Sequence, residues 1–142
     1  MNYKDLSLVL LRVGLGIMFL WAGLDKVTGG FSATGYLKGS TGPLASFFQG
    51  FPWNSTLDLA VTWLLVLGGV ALIVGVLTRL ASLGLAALML LIYLSHFPPT
   101  LPNHLVDDHI LYILGLAVVT AFGAGKIWGL GKWAEKISPW LV

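Results

Sequence analysis

The sequence predicts an all-α membrane protein, a four-transmembrane-helix bundle with short interfacial helices in the first outer loop. Three observations predict it. Of 142 residues, 57% are hydrophobic and only 10% charged, against roughly a quarter charged in a soluble domain. The apolar residues gather in four long runs, and the polar and turn-forming residues gather between them. Glycine is frequent inside the runs, at Gly14, Gly16, Gly68, Gly69, Gly75, Gly84 and Gly115, where it lets helix backbones approach closely.

Span 1 covers 6–24 and is interrupted only by Ser7 and Arg12. Nineteen residues rise roughly 28 Å, close to the thickness of a hydrocarbon core. The run is too long for a secretory signal and lacks an A-x-A cleavage site, so it reads as a retained helix. Span 2 covers 57–77, apolar from Leu59 apart from Thr62, and is entered through Asn54-Ser55-Thr56, any of which can cap a helix. Span 3, 80–97, follows after only Thr78-Arg79, which predicts an antiparallel hairpin, and it stops at Pro98-Pro99. Span 4 covers 108–125. Its apolar part, Ile110 to Gly125, rises roughly 24 Å, so the polar residues at its outer end are drawn toward headgroup depth.

Between spans 1 and 2, Val27 to Trp53 predicts two short helices. Ser32 caps one that ends near Gly39, and Pro43 after Gly42 starts a second that ends near Gly50. Phe31, Tyr36, Phe47, Phe48, Phe51 and Trp53 make this segment aromatic enough to lie on a membrane surface as a lid. At the other end, Trp128, Trp133 and Trp140 interleave with Lys126, Lys132 and Lys136, the pattern of an interfacial tail. Residues 1–142 read as a single domain without internal repeats.

Lys4, Arg79, Lys126, Lys132 and Lys136 fall on one side of the membrane, and Lys26 and Lys38 on the other. Five against two predicts a multi-pass protein of the cell membrane with both termini cytoplasmic. The net charge of +2 and the lack of a basic stripe exclude a nucleic-acid partner. With no cysteine, thiol catalysis, disulfides and iron–sulfur clusters are excluded.

Arg12 lies about two turns into span 1, on a stripe with Gly16, Phe19, Gly23 and Lys26. An intramembrane charge is a functional candidate. The structural alternative has Arg12 bonding carbonyls at the cytoplasmic ends of spans 2 and 4, whose dipoles favour a cation. At the outer face gather Trp21, Asp25, Lys26, Tyr93, His96, Asn103, His104, Asp107, Asp108, His109 and Tyr112. Met89, Tyr93 and His96 share one helix face, and Asp108, Tyr112 and Gly115 another, so two helices can offer a proton donor and a carboxylate to one pocket. Helix capping explains part of this cluster: Asp58, Asp107 and Asp108 suit helix N-termini, and Lys26 and His96 suit C-termini. A site on His96, His104, His109 and a carboxylate is the metal alternative, but no tight ligand motif such as H-E-x-x-H supports it, and no metal is expected.

The runs Leu11-Arg12-Val13-Gly14-Leu15-Gly16-Ile17-Met18-Phe19, Ala22-Gly23-Leu24-Asp25-Lys26, Gly69 to Gly75 with Thr78-Arg79, and Asp107-Asp108-His109-Ile110-Leu111-Tyr112 resemble the DoxX/DoxD membrane proteins. Gly35-Tyr36-Leu37-Lys38-Gly39 and Gly42-Pro43-Leu44 are similar to the DoxD branch, the membrane subunit of thiosulfate:quinone oxidoreductase. The resemblance implies a four-helix subunit that helps pass electrons from thiosulfate to quinone, usually beside a second subunit, DoxA. It also places Arg12, Lys26, Arg79, Asp108, His109 and Tyr112 at recurrent polar positions of the family.

The functional expectation is therefore a quinone-linked oxidoreductase subunit. Asp108, His109 and Tyr112 are its catalytic candidates, Lys26, His96, Tyr93 and Trp21 its quinone or substrate contacts, and Arg12 and Arg79 its structural charges. Quinone enters as substrate, and no dinucleotide fingerprint, haem motif or flavin site supplies electrons. A DoxA-like partner or a larger membrane complex is then expected to carry the redox centre, unless donor and quinone meet directly. The rival expectation is a non-catalytic docking or stabilising subunit. A transporter is disfavoured, because no span is broken midway by proline.

Overall fold

The computed structural model describes residues 2–50, 52, 55–97, 106–136, 138 and 140, and every regular element among them is helical. Helix α1 (Tyr3–Gly29) is followed by two short helices, α2 (Ala33–Lys38) and α3 (Ala45–Gly50), then by α4 (Ser55–Val74), α5 (Thr78–Ser95) and α6 (Asp108–Ala121). A 3₁₀ turn at Ala124–Lys126 and a short α7 (Gly131–Glu135) close the chain. Three of these helices, α1, α4 and α5, are long and apolar enough to cross a membrane, and α6 is a shorter apolar helix.

Helix α1 outruns the predicted span at both ends because its caps lie further out. The Asn2 side chain accepts from the Asp5 amide at 2.8 Å, and Gly30 at φ 66° stops the last turn. Asp25 and Lys26 are thereby helical, one turn inside the end. The hairpin between α4 and α5 also falls earlier than predicted. Gly75 adopts φ 83° and ends α4, Leu77 adopts φ 52°, and Thr78 and Arg79 belong to α5 rather than to the turn. Span 4 ends early as well, since Gly123 at φ 57° follows Ala121 within two residues. Residues 124–131 then fold back against the end of α4, where the Leu130 amide donates to the Val74 carbonyl at 3.1 Å. The two short helices expected between spans 1 and 2 form as α2, with Ser32 as N-cap and Gly39 as C-cap, and as α3. Asn54, Phe51, Trp53, Pro98-Pro99, Asn103 and His104 lie outside the described residues.

Helix α1 packs along α4, α5 packs between α4 and α6, and α6 returns to α1. The core holds Leu15, Phe19, Leu65, Leu72, Leu85, Met89, Leu116 and Val119. Outward faces are equally apolar, with Leu10, Ile17, Leu67, Leu83, Leu90 and Leu114 exposed. Helices apolar on all sides are those of a membrane interior. The α1–α4 contact is close because glycines meet there. A Cβ on Gly69 would stand 2.5 Å from the Leu20 nitrogen and 2.8 Å from the Gly16 carbonyl oxygen, both backbone atoms that cannot step aside. Gly69→Ala is therefore expected to destabilise the bundle by about 1–3 kcal/mol. A lowered melting temperature in detergent is the measurement, whereas Gly14→Ala, with nothing within 4 Å of its Cβ, tests the helix without the clash.

Candidate functional site

At one end of the bundle, beneath α2 and α3, lies a cavity of about 300 Å³. Its walls are mostly apolar: Leu57 and Val61 from α4, Leu88, Leu91 and Ile92 from α5, with Phe31 and Phe48 from the segment between α1 and α4. Three polar side chains reach it, Lys26, Tyr36 and His109. An apolar chamber with a few convergent polar groups is the usual form of a small-molecule site.

His109 is positioned by the start of α6. Asp107 is the N-cap, and its Oδ1 accepts from the Ile110 amide at 3.2 Å. Its other oxygen lies 2.8 Å from His109 Nδ1. A carboxylate only accepts, so Nδ1 carries the proton in this bond and Nε2 is the nitrogen left for a ligand. Partial burial pushes the Asp107 pKa up. The hydrogen bonds from His109 and the Ile110 amide, with the charge of a protonated His109, outweigh it and hold the group below the usual carboxylate value. The carboxylate and its grip on the imidazole persist above that ordinary range and are lost as pH falls through the lowered value.

Lys26 occupies the last turn of α1, with Nζ 4.4 Å from the centre of the Phe31 ring. Tyr36 comes from α2, which is tied to α4 by the Ala33 amide donating to Asp58 Oδ1 at 2.6 Å. The Tyr36 ring lies 4.6 Å from that of His96 at the end of α5. Ser95 Oγ donates to the Ile92 carbonyl at 2.7 Å, so His96 Nδ1, 2.9 Å away, donates to Ser95. Burial, against the Ser95 hydrogen bond and reinforced by the Asp107 charge, raises the Tyr36 pKa. Tyr36 therefore stays a neutral O–H donor through the physiological range.

The cavity brings together two of the residues singled out in the sequence, Lys26 and His109. Asp108 is exposed and does not line it, since adjacent helical residues point about 100° apart. Tyr112 turns into the bundle edge-on to Phe19, with ring centres 6.0 Å apart. Tyr93 leans on Phe97 at 5.5 Å, and His96 reaches the site through its contact with Tyr36. Trp21 points away from the bundle, 67% exposed. Among the described residues no group of three or more His, Cys, Asp or Glu is placed to hold a metal ion. Sequence reasoning missed Tyr36 as a site residue and read Asp107 and Asp58 as helix caps. The spacing of Asp107 and His109 was the available signal for the first.

At the opposite end Arg12 is 0% exposed. Its Nη1 donates to the carbonyls of Ala124 and Trp128, at 2.7 Å each. Both carbonyls lie beyond Ala121, the last residue of α6, and the Trp128 carbonyl stands beside Gly75 at the end of α4. The residues on its stripe, Gly16, Phe19 and Gly23, are buried with it.

Residues 7–97, which are 91 of the 142, match the DoxX family. The chain belongs to the DoxX family. The match covers α1 to α5 of this DoxX protein, and so includes Lys26, Tyr36 and the α5 wall of the cavity. Helix α6, which carries Asp107 and His109, lies beyond it. No curated protein and no solved structure matches the chain.

Proposed function

We propose that this chain is the membrane subunit of a quinone-linked oxidoreductase of the thiosulfate:quinone type, of the DoxD branch, and that the quinone headgroup occupies the cavity. The cavity carries the proposal: it is apolar, about 300 Å³ in volume, and has Lys26, Tyr36 and His109 on its wall. A quinone takes up two electrons and two protons, and two thiosulfates joined through a sulfur–sulfur bond release two electrons. Lys26 donates a hydrogen bond to a quinone oxygen, and the Tyr36 ring closes the cavity beside it. His109, held by Asp107 at Nδ1 and protonated from water at Nε2, passes that proton to a reduced quinone oxygen, and a second round from water supplies the second proton. Electrons arrive from a DoxA-like partner subunit or a larger membrane complex. Titration of the purified chain with a soluble short-chain quinone, followed by thiosulfate-dependent quinone reduction with and without partner, tests the reading. A chain that binds no quinone alone or in its complex would sink it. A non-catalytic docking subunit would then replace it, a reading favoured by the exposed Trp128 and Trp133 of the folded-back tail.

The same proposal places α1, α4, α5 and the short α6 across the cell membrane, with α2 and α3 on the outer surface and both termini in the cytoplasm. In this cysteine-free chain, single cysteines at Lys38 and Lys136 are expected to label from opposite sides of sealed vesicles, Lys38 from outside. Labelling of both from one side contradicts the four-span arrangement.

A further inference from the structure

A buried hydroxyl outside the proposed ligand contacts lies beside the cavity, at the C-terminal end of α5. Ser95 is the last residue of that helix and is 0% exposed. Its Oγ donates to the Ile92 carbonyl at 2.7 Å, which commits its one proton. A hydroxyl then keeps two acceptor positions. His96 Nδ1, 2.9 Å away, donates to one of them. The Tyr36 hydroxyl, also hydrogen-bonded to Ser95, is left to donate to the other. The Ser95 carbonyl in turn accepts from the Thr41 amide at 3.1 Å.

These bonds join the bundle to the segment that covers the cavity. Tyr36 belongs to α2, and Thr41 follows its C-cap, Gly39, by two residues. The other end of α2 is held by α4, where Asp58 accepts from the Ala33 amide at 2.6 Å. Helix α3 is tied to the same segment, since Gln49 Nε2 donates to the Ser40 carbonyl at 2.8 Å. Ala33, Tyr36 and Leu37 of α2, Phe48 of α3 and Ile92 of α5 all line the chamber. Stranding a buried polar group is costly, so Tyr36 and His96 stay in register around one oxygen.

We propose that Ser95 is the positioning residue of the cavity: its hydroxyl fixes Tyr36, and with it α2, over the chamber and sets the tautomer of His96. Ser95 does not line the chamber and acts through Tyr36. With Nδ1–H given to Ser95, neutral His96 carries its lone pair on Nε2. The effect on ligand affinity rests on the quinone reading, whereas the fastening of α2 does not.

The test compares the full chain in neutral detergent with Ser95→Ala, Tyr36→Phe and the double variant. Ser82→Ala, which removes a buried α5 hydroxyl that has no hydrogen-bond partner, is the control. Nitrogen NMR of histidine-labelled protein, above the imidazole titration range, reads the tautomers, with His96→Gln as the assignment. His96 is expected as Nδ1–H in the wild type and the control, and as Nε2–H in Ser95→Ala. Hydrogen exchange of residues 33–41 reads the hold on α2. Each single variant is expected to speed it about threefold to tenfold, and the double variant no more than Ser95→Ala alone, because the bond is already gone. A soluble short-chain quinone is expected to bind Ser95→Ala about tenfold more weakly. A wild type that binds no quinone overturns the quinone reading, and the tautomer and exchange still decide the role of Ser95. Tyr36→Phe leaves α5 intact, so it tests the same bond should Ser95→Ala not fold. If neither single variant speeds exchange, if their effects add, or if folded Ser95→Ala keeps the wild-type His96 tautomer, the proposal is overturned.

Discussion

Replacing His109 by alanine is expected to lower quinone-linked turnover by about 10² to 10⁴ while the bundle still folds, the usual range for removing one positioned acid–base group. The side chain is only partly buried, 32% exposed, and its hydrogen bond is to Asp107 rather than to a core group. Asp107→Asn keeps a hydrogen-bond acceptor and the N-cap but weakens the bond that orients His109. It is expected to cost less than His109→Ala, because the imidazole stays in place. Asp108→Asn, on an exposed residue outside the cavity, is expected to change turnover little. The three variants compared by steady-state rate and pH profile separate a proton-delivery site from a set of helix caps. Full activity in His109→Ala would remove histidine from the mechanism.

Replacing Arg12 by methionine is expected to destabilise the protein by about 2–5 kcal/mol, the scale for leaving two buried carbonyls without a donor. Methionine fills much of the volume but leaves the carbonyls of Ala124 and Trp128 without the donor that each now has at 2.7 Å. The loss also spreads. Gly129 at φ 113° and Gly131 are pressed against Val74, Gly125 and Gly75, so the fold-back is a tight backbone knot that Arg12 ties to α1. Proteolysis in detergent is the measurement, and cleavage after Lys126 or Lys136 is expected to speed up before the rest of the bundle melts.

The helices were legible because their causes are local. Apolar runs, the Ser32 cap and the Gly39 stop act within a turn of their own position, whereas Gly30 and Gly75, which end α1 and α4 at positive φ, were not read as stops. The stripe of Arg12, Gly16, Phe19 and Gly23 was legible from helical periodicity, and the alternative in which Arg12 bonds carbonyls was argued from the dipoles at helix ends. The cavity was legible only in part, because its walls come from α4, α5 and the lid, and nothing in a linear pattern says that Leu57, Leu88 and Tyr36 meet. Asp107 looked like a cap, which it is, but capping uses only one carboxylate oxygen. Its second oxygen is what positions His109. The early end of α6 at Gly123 was missed because apolar character continues to Gly125 after the backbone has turned.

Leu91 is both part of the cavity wall and 51% exposed on the outer surface of α5. A molecule dissolved among acyl chains would therefore meet the chamber sideways, through a leucine doorway, without passing through water. Occupancy would then follow mole fraction in the lipid rather than molar concentration in the buffer. Adding detergent would empty the site by dilution even at fixed total ligand, and titrations at two protein-to-detergent ratios should superimpose only when plotted against ligand per detergent molecule.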